Sequence, residues 1–129
     1  MATQLPLFTL PGFEAGADMT DDQFKFVTIS EAEKVETVSV AGDTPLGVLQ
    51  NAPKAGESAQ IMQAGITKVI AGAGDISAGE YVVMNSDGTA EDAGTTASEE
   101  VVGIGIDGAD DGNIASILLF GAVIERDLS

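Results

Sequence analysis

Almost all the residues of this chain that could do chemistry are carboxylates. There are 21 Asp and Glu against 5 Lys and Arg, with no His and no Cys. Lacking His, the chain has neither the usual general base near neutral pH nor the commonest metal ligand. Lacking Cys, it can form no disulfide and no thiolate metal site. The densest run is Asp107-Gly-Ala-Asp110-Asp111-Gly112-Asn113, a set of oxygen donors suited to a hard cation such as Ca²⁺. An EF-hand loop would place a carboxylate or Asn at its third position and Glu at its twelfth, where Ala109 and Leu118 stand. The run is therefore expected to be an acidic hairpin turn. Val69-Ile-Ala-Gly72-Ala-Gly74-Asp75 looks like a strand feeding a glycine turn, but a dinucleotide fingerprint needs a third Gly where Ser77 sits, followed by a helix. No Gly-x-Ser-x-Gly elbow occurs. The pairs Asp21/Asp22, Glu99/Glu100 and Asp110/Asp111 are adjacent, and neighbours on a strand point to opposite faces. A glycosidase pair built from distant carboxylates stays open, although such sites carry aromatic platforms, and Trp is absent while Tyr and Phe total six. The expectation is no enzyme, no cofactor and no metal.

The charge balance of −16 bears on partners. Phosphate contacts need Lys and Arg, so nucleic acid is not expected as a partner. An anionic membrane surface is not expected either, on the same ground. Strong acidity can also mark disorder, but 44% of residues are hydrophobic and mean hydropathy is +0.21, which favours a folded body. No stretch of about 18 apolar residues is present to span a bilayer as a helix. The opening MATQLPLFTLPGF lacks a basic region and is broken by Pro6 and Pro11, so it does not read as a signal peptide, and synthesis in the cytoplasm is expected.

These residues must be positioned by strands. From Phe24 onward short apolar runs alternate with turn signals. Strands are expected near 24–29, 35–40, 45–50, 59–64, 67–71, 80–84, 101–106, 114–120 and 122–125, the spacing of an all-β sandwich or barrel. Asn85-Ser-Asp87-Gly88 reads as a turn, and Ser30-Glu-Ala-Glu33 as a turn or a single helical turn. Residues 1–23 differ from the rest: Pro6 and Pro11 favour extended backbone, and Leu5, Leu7, Phe8, Leu10 and Phe13 are apolar. They are expected to form an extended N-terminal arm, with residues 24–129 as the β-rich body. An extended arm cannot bury its rings against itself, so it lies on its own body or on another subunit. Because aromatic anchors dominate interfaces, an intermolecular contact is expected rather than an arm folded back as an edge strand, and Leu5, Pro6, Leu7, Phe8, Leu10, Pro11 and Phe13 are the candidate capsid- or neighbour-contact residues.

An internal echo recurs 56 residues apart, pairing Gly47 with Gly103, Gly56 with Gly112, Ala59 with Ala115, Ile61 with Ile117 and Gly65 with Gly121. Two copies are too few for a solenoid. Two related hairpin units wrapped into one small β-body fit better.

The succession Leu46-Gly-Val-Leu-Gln50, Pro53-Lys-Ala-Gly-Glu57, Val69-Ile-Ala-Gly72, Ile76-Ser-Ala-Gly-Glu80-Tyr-Val82, Ser86-Asp-Gly88, Val102-Gly-Ile104, Asp111-Gly112 and Ile117-Leu-Leu119 resembles the tailed-phage capsid decoration (cement) proteins over roughly residues 24–121. Val102 through Gly121 also looks like the core of the lambda-type head decoration proteins. The resemblance implies a small β-barrel or β-tulip body, often a homotrimer, seated on the outer capsid surface and cementing major capsid protein subunits, with no catalysis and no cofactor. The alternative is a secreted or surface β-sandwich that binds carbohydrate or calcium. Residues 1–23 match no motif of that family, so the arm contacts rest on the Pro-restricted extension and the clustered apolar side chains alone.

Overall fold

The computed structural model describes the backbone of residues 5–10, 12–40, 43–94 and 98–127, and the side chains of 12–40, 43–94 and 100–121. The described residues form an all-β body without helices. Its strands are β1 (Leu5–Leu10), β2 (Glu14–Ala15), β3 (Phe26–Glu31), β4 (Lys34–Thr37), β5 (Gly47–Leu49), β6 (Ile61–Ile70), β7 (Tyr81–Met84), β8 (Ala90–Asp92), β9 (Ser98–Gly105) and β10 (Ile114–Asp127). They join in one sheet of order β2-β4-β3-β5-β6-β10-β9-β7-β8, with β1 added to β6. Turn chemistry sets the hairpins. The turn between β7 and β8 has Gly88 at φ 85°, and the Asp87 carboxylate accepts the Thr89 hydroxyl at 2.6 Å. Ser30–Glu33 forms no helix: β3 runs on to Glu31 and the chain turns at 32–33.

Two pairs of expected strands are single long ones. The runs 59–64 and 67–71 merge in β6, and 114–120 and 122–125 merge in β10. Gly65 and Gly121 bend these strands instead of ending them, with φ of 122° and 82°. A bulge keeps a strand in its sheet while turning its direction. Two short strands, β2 and β8, carry too few residues to leave an alternating pattern.

The body has two hydrophobic cores, one on each face of β3 and β5. Phe26 and Val48 face the larger core, with Val38, Val69, Ala71, Ile76, Val82, Ala90, Val102, Ala115, Ile117 and Leu119. Val27 and Leu49, the next residues along, face the smaller core with Ala15, Met19, Val35, Ala59 and Ile61. This follows from the two-residue period of a strand. Ala15 and Met19 are 2% and 1% exposed, so the chain from Phe13 onward is built into the smaller core.

The echo in the sequence is a repeat in space. Gly56 N–H donates to Ala15 O at 2.8 Å, and Gly112 N–H donates to Ala71 O at 2.8 Å. Ala15 N–H donates to Glu57 O and Ala71 N–H to Asn113 O, both at 2.8 Å. Gln50 N–H reaches Gln60 O as Ile106 N–H reaches Ser116 O. In the hairpins the spacing drops by one residue: Phe26 pairs Val48 as Tyr81 pairs Ile104, and Val27 pairs Thr37 as Val82 pairs Asp92. The same relation joins the long strands, since Phe8 pairs Ala64 and Ala64 pairs Phe120. Thus β1 stands to β6 as β6 stands to β10, and β6 closes the first repeat while opening the second.

The repeat exposes a strained position. Glu33 has φ 64° and Phe24 has φ 69°, and their counterparts 55 residues on are Gly88 and Gly79, at φ 85° and 82°. The left-handed region costs a non-Gly residue roughly 1–2 kcal/mol, partly offset by the extra freedom of Gly in the unfolded chain. Glu33 is exposed. Glu33→Gly is therefore expected to stabilise the protein by about 0.5–1 kcal/mol, read as a rise of a few degrees in the thermal midpoint. An unchanged or lowered midpoint would contradict the strain argument.

Candidate functional site

The N-terminal strand is the site that the sequence singles out. Pro6, with φ fixed and no amide proton, suits an edge strand, which need not donate on its outer side. β1 runs antiparallel to β6 with Leu5 opposite Ile66, Pro6 opposite Gly65, Phe8 opposite Ala64, Thr9 opposite Met62 and Leu10 opposite Ile61. At these positions β6 already has β5 or β10 on its other side. The register shifts between Pro6 and Phe8 and again between Phe8 and Thr9. The arm backbone therefore lies on its own body, and the outer side of β1 is an edge of the sheet among the described strands. Such an edge is a template for an added strand. Leu5, Pro6, Leu7, Phe8 and Leu10 all belong to β1. Their side chains and the whole of Pro11 lie outside the described residues. Phe13 is half-buried against the smaller core, and its carbonyl accepts the Ala59 N–H at 3.0 Å.

Of the carboxylates that the sequence raised as chemistry, Asp75 and Asp107 accept backbone N–H groups in turns, and Glu91 and Asp92 do the same beside them. Asp75 Oδ1 accepts the Asp111 N–H at 2.8 Å, Glu91 Oε1 the Gly74 N–H at 3.2 Å, and Asp107 Oδ1 the Ser116 N–H at 2.7 Å. Asp92 takes the Ser77 N–H at 2.8 Å and its hydroxyl at 2.7 Å. The bond from the Thr89 hydroxyl, opposed by partial burial, holds the Asp87 carboxyl below the usual range. Asp87 therefore supports the fold above the ordinary carboxylate pKa, and this support fades as pH falls through the lowered value. Among the described residues no group of three or more acidic side chains is arranged to hold a metal ion. A dimple lined by Phe26, Pro45, Leu46, Gly47, Val102, Leu119 and Gly121 encloses about 20 Å³. That is room for about one water and too little for a small-molecule ligand.

Lys25 meets Asp22 at 3.2 Å, and Lys34 meets Glu14 at 3.7 Å on the exposed surface. The Lys68 ammonium sits 5.8 Å from the centre of the Phe24 ring. Exposed pairs of this kind contribute under about 1 kcal/mol each. The described surface also carries the sheet edge at β1 and exposed large side chains at Ile29, Val40, Tyr81, Ile106 and Ile114.

No family model and no curated protein matches this chain. Among solved structures, it is similar to one described as the crystal structure of head fiber gp8.5 N base in bacteriophage phi29, with a TM-score of 0.65 at 18% identity, over 92% of this chain and 98% of that one. At that identity the likeness is one of fold, and it extends across nearly the whole of both chains.

Proposed function

We propose that this protein is a structural component of a phage virion that sits on the outer surface of the head, binds the major capsid protein and cements neighbouring subunits. The observation that carries this reading is the shared fold, along almost the full length, with the base of a phage head fiber. The ordered run of motifs over residues 24–121 points to the same class of protein. Asp75, Glu91, Asp92 and Asp107 are engaged in turns, and among the described residues no acidic cluster is arranged to hold a metal ion, which fits a structural role. A net charge of −16 suits a protein that faces solvent on a particle and must keep particles apart. Binding that favours the assembled shell over its dispersed subunits stabilises the shell by mass action.

Within this reading the body is a small barrel or tulip. Two contacts between distant parts of the sheet support that closure: Ala71 bridges Ala90, and Phe26 N–H donates to Gly88 O at 2.8 Å. The protein acts as a homotrimer. The arm residues Leu5, Pro6, Leu7, Phe8, Leu10, Pro11 and Phe13 form the contact with the capsid or a neighbour, by strand addition along the β1 edge or by release of β1 onto another subunit.

The test is sedimentation of purified shells with the full chain and with a variant lacking residues 1–10. The truncation stops there because Ala15 and Met19 are core residues. The full chain should pellet with shells and saturate. The truncated chain, shown to be folded by circular dichroism, should bind at least about tenfold more weakly, the loss of a short apolar anchor. Saturation at unchanged affinity would overturn the arm assignment.

A further inference from the structure

The repeat shows what covers each of its faces, because one copy of each face is buried and the other is not. In the first repeat, Phe26, Val48 and Met62 form a row of directly paired residues that are 1%, 0% and 2% exposed. With Val38, Phe26 and Val48 pack into the larger core, most of whose residues belong to the second repeat. The equivalent row in the second repeat is Tyr81, Ile104 and Leu118, again directly paired strand to strand. Val38 corresponds to Ala93, whose N–H donates to Tyr81 O as that of Val38 donates to Phe26 O. Here Tyr81 is 42% exposed, and Ile104, Leu118 and Ala93 are half-buried. Phe120 lies edge-on to Tyr81 with ring centroids 6.5 Å apart and extends the patch. β10 lies between β6 and β9 and carries apolar residues on both faces, the pattern of a strand meant to be covered on both sides.

The receiving side is duplicated as well. Val69, Val102 and Leu119, which join Phe26 and Val48 in the larger core, are 0%, 4% and 5% exposed. Their counterparts 56 residues earlier are Phe13, Leu46 and Gln63, all half-buried. The chain therefore has an open forward face on its second repeat and an open receiving face on its first. Between them the two repeats already contain one closed example of the same contact.

We propose that copies of this chain join head to tail, the Tyr81–Ile104–Leu118 face of one seating on the Phe13–Leu46–Gln63 side of the next. The contact is the one between the two repeats, made between chains. It is heterologous, so it closes into a ring where the rotation permits and otherwise extends. The proposal rests on the reading that the protein binds its own copies, and it assigns the surface that does so. It does not depend on binding to a shell.

The test is native mass spectrometry and analytical ultracentrifugation of the full chain at about 0.15 M salt, where repulsion between acidic bodies is screened beyond about 8 Å. The wild type should form oligomers. Tyr81→Asp blocks the forward face, and Gln63→Glu blocks the receiving face; both blocks are anionic, so the two blocked faces repel each other. Each variant, shown to be folded by circular dichroism, should associate at least about tenfold more weakly than wild type, as expected when an interface anchor is lost. An equimolar mixture of the two should give dimers and nothing larger, because only one open pair of faces remains. A wild type that stays monomeric at hundreds of micromolar overturns self-association itself. A wild type that assembles, with Tyr81→Asp and Gln63→Glu assembling equally well, overturns the face assignment alone. Failure of the mixture to dimerise overturns the head-to-tail arrangement.

Discussion

Gly47→Ala and Gly103→Ala are each expected to destabilise the protein by about 3 kcal/mol, near the upper end for overpacking in a closed site. A Cβ on Gly47 would stand 2.4 Å from Met62 O, and one on Gly103 would stand 2.3 Å from Leu118 O. Both acceptors are backbone atoms in the facing strand, so no side chain can rotate away. Paired strands sit about 4.8 Å apart, and relieving the clash means pushing them apart where the ladder bonds are made. Gly56→Ala and Gly112→Ala serve as controls. Their added Cβ would meet nothing within 4 Å, and only the positive φ of 83° and 84° opposes the change. They should cost about 1–2 kcal/mol, the ordinary penalty of left-handed backbone. Urea midpoints at constant slope separate the two classes. Gly47→Ala or Gly103→Ala variants as stable as the controls would mean that the strands do not approach as described.

The second large effect contrasts two equivalent aromatic residues. Phe26→Ala should cost about 3–5 kcal/mol, the usual cost of truncating a fully buried ring. Tyr81→Ala should cost less, about 1–2 kcal/mol in the isolated chain, because its ring is 42% exposed and keeps an edge-on contact with Phe120, while Phe26 is 1% exposed. Denaturation at low protein concentration reads both values. At higher concentration the cost of Tyr81→Ala should grow, since association stabilises only a chain able to make the contact. Equal losses for the two variants at low concentration would contradict the assignment of Tyr81 to an open face.

How much of this was legible in the sequence depends on what each residue has to do. The five identities 56 residues apart fall where backbone geometry or full burial constrains the residue. Gly47 and Gly103 press on a facing carbonyl, Gly56 and Gly112 turn with positive φ, and Ile61 and Ile117 are fully buried. Those positions carry the repeat in the sequence. The hairpins β3–β4 and β7–β8 repeat as faithfully in their hydrogen bonds but are displaced by one residue. Their side chains have diverged because one copy is buried between the repeats and the other faces solvent, as with Phe26 and Tyr81. Glu33 and Phe24 hide the turn signal, since they adopt the left-handed backbone that glycine advertises at Gly88 and Gly79. The all-β class and most strand positions were readable from alternation. The merging of strands across Gly65 and Gly121 was not, because a bulge glycine and a turn glycine look alike in one sequence.

The arm was legible in part. Extension around Pro6 follows from proline chemistry, and β1 is extended. Its pairing with β6 is the first-repeat version of the pairing of β6 with β10, a relation that becomes visible only once the long strands are in register. Ala15 and Met19 fall within residues 1–23, the expected arm, yet sit in the smaller core, because an Ala and a Met among acidic neighbours carry no periodic signal.

The most direct test of the proposed function is a cryo-electron microscopy reconstruction of phage heads that carry this chain. The expected result is density for the β-body on the outside of the shell, with the β1 edge or its side chains against the major capsid protein. Heads that carry no such density, or a body attached elsewhere with residues 1–13 touching nothing, would contradict it.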